Sequence, residues 1–132
     1  MATDGTYYYK PTIKHMTETE MKQRTKAFAL RVIKLAGSLS KDFVGRRLGD
    51  QLLRSGTSVA ANYRAACRAR SNADFASKLA IAEEEADEAR LWMELMIEGG
   101  IVSGRRLEKL LDEANQLTAI LVASRKTARK SL

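Results

Sequence analysis

Between Phe75 and Met96 the side chains Phe75, Leu79, Ala82, Ala86, Ala89, Met93 and Met96 recur at alternating steps of four and three residues. A period near 3.5 lines up one apolar stripe on one side of a helix, and such a stripe has to be covered by partner helices. Three further stretches repeat the pattern. Met21, Thr25, Phe28, Val32, Leu35 and Leu39 form one series, and Leu107, Leu110, Ala114, Leu117, Leu121 and Ser124 another. Between them lies Leu48, Leu52, Ser55, Val59, Asn62 and Ala66, whose small members allow close helix approach. No strand-like alternation competes with these patterns.

Start and stop signals separate the four series. Thr17 with Glu20 three residues on makes a capping box, with Met16 and Met21 at hydrophobic-staple positions. A polar link containing Lys41, Asp42 and Gly45 precedes the second helix, which Gly56 weakens without ending. Ser71 caps the third helix with Asp74 in the capping-box place, and the Gly99-Gly100 pair stops it. Ser103 caps the fourth, with Val102 and Leu107 as its staple. Four helices joined by short links give an all-α fold, an up-down-up-down four-helix bundle. Residues 1–16 read as a flexible arm, 17–127 as the bundle and 128–132 as a frayed basic tail, with fraying expected from Arg125 onward. His15-Met16 is the dipeptide a common cloning site encodes, so residues 1–15 read as a leader ahead of a natural start at Met16. Within the bundle, Asn62 is the candidate buried polar residue that fixes helix register.

The chemistry open to the chain is narrow. Its 132 residues suit one domain. A single cysteine, Cys67, excludes an internal disulfide, and with His15 the only histidine there is no Cys/His set for zinc and no base for a histidine-dependent triad. Cys67 therefore reads as a small packing residue. No window reaches the roughly 20 apolar residues of a membrane span, and no signal-peptide core is present, so the cytoplasm is the expected location and no membrane partner is expected.

Charge is unevenly spread. Residues 71–98 carry eight acidic and two basic groups, whereas 41–70 carry seven basic and two acidic. That contrast fits polyanion binding and equally fits basic and acidic helices that pair with each other. Arg47, Arg54 and Arg68 recur at heptad multiples with Arg64 one turn before Arg68, so four guanidinium groups share one side of the second helix. Arginine's planar fork of donors suits phosphate or carboxylate. Arg47, Arg54, Arg64 and Arg68, joined by Arg105 and Arg106, are the candidate nucleic-acid-binding residues. For Arg64 and Arg68, nearest the turn, pairing with Glu84 and Glu88 is the slightly preferred alternative. On the third helix Ile81, Leu91 and Leu95 share a stripe with Glu84 and Glu88 opposite the core seam, and Trp92 lies on the flank. This stripe is the expected oligomer interface. Glu84-Glu85-x-x-Glu88 resembles the first half of the magnesium motif of all-α nucleotide pyrophosphatases, but the Glu-x-x-Asp of its second half is missing, and the Glu-x-x-His pairs of a di-iron bundle are missing too. No catalytic residue, metal ligand or cofactor is expected.

The stretch from Leu52 to Leu95, with the arginine after Gln51-Leu52, the Ser58-Val59-Ala60-Ala61-Asn62 run, Phe75, Leu79 and Glu88, resembles a family of four-helix bundles. Its members are encoded in intervening sequences of bacterial large-subunit (23S) ribosomal RNA genes, and the resemblance spans Met21 to about Ala123. The chain departs from the family where Arg64-Ala65-Ala66 replaces Ala-Glu-Gly and Glu84-Glu85 replaces Gly-Ser. The resemblance implies a homo-oligomer, pentameric in relatives, without enzymatic activity and with RNA or DNA as the suspected ligand. More distantly, the chain is similar to the accessory protein of diversity-generating retroelements, a basic pentamer that binds nucleic acid and reverse transcriptase. The expected function is thus a non-enzymatic oligomer that binds nucleic acid weakly and without sequence preference. Two alternatives stand beside it, a homo-oligomeric protein-interaction scaffold and a magnesium-dependent nucleotide pyrophosphatase.

Overall fold

The computed structural model describes residues 6–9 and 14–130. Its helices are α1 (Glu18–Ser38), α2 (Phe43–Cys67), α3 (Asn72–Glu98) and α4 (Gly104–Lys130). Successive helices pack side by side, α1 on α2, α2 on α3 and α3 on α4, as an up-down bundle with short links requires.

Local chemistry sets the ends. The Thr17 hydroxyl accepts the Glu20 N–H at 3.0 Å while the Glu20 carboxylate accepts the Thr17 N–H at 3.1 Å, a complete capping box. Asp42 accepts the Gly45 N–H at 2.8 Å, and Ser71 and Ser103 accept the N–H groups of Asp74 and Arg106. At the end of α3, Gly100 takes φ of +73°. The Ile101 N–H then reaches the Met96 carbonyl at 2.8 Å and the Gly100 N–H that of Ile97 at 3.1 Å, which is the Schellman arrangement.

All the apolar seam positions of α1, α3 and α4 are buried, and Thr25 at 0% exposure donates its hydroxyl to the Met21 carbonyl. The seam of α2 differs from expectation. Tyr63 at 1% exposure takes the core position, and Asn62 is half-buried, donating to its own helix at the Ser58 carbonyl (2.8 Å). Asn62 is therefore not the buried register-setting residue. The buried residues Gly45, Gly49, Leu52, Gly56, Val59, Tyr63 and Ala66 keep the four-three spacing, a phase that an apolar count misses because three of its positions are glycines. Gly45, Gly49 and Gly56 are also buried on α2, and a Cβ on Gly56 would stand 2.8 Å from both Val32 methyl groups, so α1 and α2 are in close contact there.

Two boundary expectations are corrected. The arm contains an antiparallel pair, β1 (Thr6–Tyr9) and β2 (Lys14–Thr17), with Thr6 opposite Thr17 and Tyr9 opposite Lys14. β1 runs beside α4 and β2 beside α1, and Tyr7-Tyr8-Tyr9 is a strand-forming run that needs such neighbours to be held. Residues 1–5 and 10–13 lie outside the described residues, and with them part of the stretch 1–15 read as a leader. At the other end α4 stays helical to Lys130, because Ala128 is buried and Arg125 donates to Glu83 of α3 at 2.7 Å. Only residues 131 and 132 of the expected frayed tail lie outside the described part.

Candidate assembly and nucleic-acid interface

The outward face of α3 follows from its periodicity. With Phe75, Leu79, Ala82, Ala86, Ala89, Met93 and Met96 inside, Ile81, Leu91 and Leu95 must face out, and they are 44%, 48% and 43% exposed. Glu84 is exposed among them. Trp92, half-buried, donates its indole N–H to Glu88 at 3.3 Å. These six residues line one side of α3, as the sequence indicates.

The arginines are arranged otherwise than expected. Arg54 donates to Glu85 at 3.0 Å and to Glu88, so it joins α2 to α3. The Arg54 hydrogen bond holds the Glu88 carboxyl below the usual carboxylate range, and Glu88 in turn raises the pKa of Arg54. Arg64 and Arg68 are exposed and make no ion pair among the described residues. Antiparallel register is the reason. Residues at the end of α2 lie opposite the start of α3, where the one acidic group, Asp74, is held by Lys78 at 2.7 Å. The glutamates stand farther along α3, opposite Arg54.

The expected four-arginine stripe is thus divided. Arg47 and Arg68 are about 32 Å apart along α2 at 1.5 Å per residue, and Arg54 between them is neutralised. Arg64 and Arg68 belong to one end of the bundle. Arg47, whose guanidinium stacks on the Phe43 ring at 5.1 Å, belongs to the other. Arg106 reaches across to the Ser38 hydroxyl of α1, which brings Arg105 and Arg106 to the same end as Arg47. Lys41 and Arg46 add to that end, and the sequence reading missed both. Only the antiparallel topology brings the α1–α2 link and the start of α4 together.

A second apolar surface also escaped the sequence reading. Leu30 and Ile33 of α1 and Leu53 of α2 are 57%, 47% and 38% exposed, and a cavity of about 420 Å³ between these helices is lined by Ile33, Gly37, Lys41, Arg46, Asp50 and Leu53 among others. Its signal was present, since Leu30 and Ile33 fall off the α1 seam, but no single helix shows that Ile33 comes beside Leu53 of its neighbour.

The remaining chemistry is sparse. Glu85 and Glu88 are committed to Arg54, and among the described residues no group of three or more His, Cys, Asp or Glu side chains is placed to hold a metal. Burial pushes the Cys67 thiol up to about 11, which leaves little thiolate at neutral pH. No helix among the described residues is long and apolar enough to cross a membrane.

These features define a small all-α bundle with an amphipathic outer helix and basic ends. The family model for the 23S rRNA-intervening sequence protein matches residues 17–123, and the chain belongs to that family. Among solved structures it is similar to a protein of unknown function from the S23 ribosomal protein family of Bacteroides thetaiotaomicron VPI-5482. That structure has 34% sequence identity and a TM-score of 0.77, and the match covers 84% of this chain and 99% of that one. Comparison with curated proteins finds no match.

Proposed function

We propose that the protein is a non-enzymatic bundle that assembles with copies of itself and binds nucleic acid weakly, without sequence preference. The observation that carries the nucleic-acid reading is the state of the arginines. Of the six arginines that the sequence singles out, Arg47, Arg64, Arg68, Arg105 and Arg106 are all exposed and make no ion pair among the described residues, and only Arg54 is spent on carboxylates. A few phosphate contacts per chain bind feebly, and assembly multiplies them. Lys41 and Arg46 extend the cluster around Arg47, Arg105 and Arg106.

The test is affinity for short duplex DNA and a structured RNA between about 50 and 200 mM salt. Each neutralised phosphate adds about 0.9 to the log-log salt slope on duplex DNA. Arg47→Ala/Arg105→Ala should flatten the slope, and Arg54→Ala should leave it unchanged. Absence of binding at low salt would refute the nucleic-acid reading. The scaffold reading then takes its place, favoured by the exposed Ile81, Leu91 and Leu95 strip, which is independent of the arginines.

A further inference from the structure

Phe43, the first residue of α2, is 72% exposed, and among the described residues of the four helices no other aromatic side chain is exposed. Phe28, Tyr63 and Phe75 are in the core, and Trp92 is half-buried beside Glu88. A single exposed apolar side chain is ordinary on a protein surface, but the surroundings of this one are not. Arg47, one turn on, lays its guanidinium over the Phe43 ring at 5.1 Å, and the rest of the ring is open to solvent. Lys41 and Arg46 flank the ring in sequence, and Arg105 and Arg106 stand at the same end of the bundle, all of them exposed. Of the carboxylates at this end, Asp42 is held by the Gly45 N–H at 2.8 Å and the Ser40 hydroxyl at 3.2 Å, Asp50 lines the groove toward α1, and Glu98 and Glu108 stand on α3 and α4. We propose that Phe43 is a stacking platform for an unpaired nucleobase, so that the ligand of this end is single-stranded nucleic acid. This rests on the nucleic-acid reading above and specifies the form of the polymer.

Cations by themselves do not distinguish a duplex from a single strand, because both present phosphates. An exposed ring does. In a duplex each base has its faces covered by its neighbours, and a ring at the start of a helix meets only backbone. In a single strand, or an unpaired loop of RNA, a base can turn its face to the ring while the phosphates on either side of it meet lysine and arginine. The Arg47 guanidinium adds a second planar surface at the same place. Every base has a π-face, so the contact raises affinity without sequence preference. A lipid surface would need an apolar helix face, whereas the turn after Phe43 carries Arg46, Arg47 and Asp50.

The test compares oligothymidylate with a DNA duplex of the same number of phosphates, for wild type, Phe43→Ala, Phe43→Leu and Phe43→Trp. Phe43 is exposed, so helical circular dichroism should stay at the wild-type level in all three variants. Phe43→Ala should weaken binding of oligothymidylate by about fivefold or more at every salt concentration, with the salt slope and the duplex affinity unchanged, because a stacking surface and no charge is removed. Phe43→Leu, apolar but without a π-face, should lose as much. Phe43→Trp should bind as wild type does, and its added indole emission should be quenched by oligothymidylate beyond any change in wild type, where Trp92 is the sole indole. A Phe43→Leu variant that binds as well as wild type overturns stacking, and so does a Phe43→Ala variant that loses duplex and single strand equally. Co-sedimentation with phosphatidylserine vesicles that depends on Phe43, while oligothymidylate affinity does not, also overturns it, with a lipid surface as the partner. Binding of both polymers with no effect of Phe43→Ala overturns only the stacking proposal, whereas a wild type that binds neither at low salt overturns the nucleic-acid reading beneath it.

Discussion

Gly56 and Gly37 allow the same substitution to be read with opposite signs. Gly→Ala inside a helix removes backbone entropy from the unfolded chain and favours the helix by about 0.5–1 kcal/mol. At Gly37 the new methyl group meets nothing within 4 Å, so Gly37→Ala should be stabilising by about that amount. At Gly56 the Cβ would stand 2.8 Å from Val32 Cγ1, 2.8 Å from Cγ2 and 3.1 Å from Cβ. Val32 is 0% exposed, and a β-branched side chain in a helix has one favoured rotamer, so neither methyl can turn aside. α1 and α2 must move apart, and overpacking of this kind costs about 1–3 kcal/mol. With the propensity gain offset against it, Gly56→Ala should destabilise by about 1–2 kcal/mol, lowering the melting temperature by several degrees. Urea denaturation of wild type and both variants at one protein concentration is the assay. Val32→Ala introduced beside Gly56→Ala should cost much less than Val32→Ala alone, since the two changes share one space. If Gly56→Ala is as stable as Gly37→Ala, the close α1–α2 contact described above is wrong.

Two further outcomes are expected. The folded Glu88 pKa is lowered by Arg54, so its contribution to stability is complete above the unfolded carboxylate pKa of about 4.3 and is lost as pH falls through the folded value; the advantage of wild type over Arg54→Met in thermal melts should therefore be constant near neutrality and shrink below that pH. Cys67, its thiol raised to about 11 by burial, should react slowly with iodoacetamide in native protein and readily once unfolded, and rapid native labelling at neutral pH would contradict this.

The sequence by itself determined the four helices and the inside of three of them. Caps such as Thr17–Glu20, and the stop at Gly99-Gly100, depend on residues a few positions apart, and the α3 seam repeats often enough for its phase to be unambiguous. The outward strip of Ile81, Leu91 and Leu95 follows from that phase as its complement. Tertiary structure decided the rest. On α2 the phase through Tyr63 runs over Gly45, Gly49 and Gly56, which show no apolar side chain in the sequence, and close packing on α1 favoured it over the phase through Asn62. The hairpin of β1 and β2, and the helical end of α4 held by Arg125 and Glu83, depend on partners far away in sequence. The same holds for the arginines. Charge and spacing show that Arg47, Arg54, Arg64 and Arg68 share a side of α2, but which of them meets a carboxylate is set by how far α3 slides along α2. A side chain's partner in a bundle is fixed by the register between helices, and a one-helix pattern carries no information about that register.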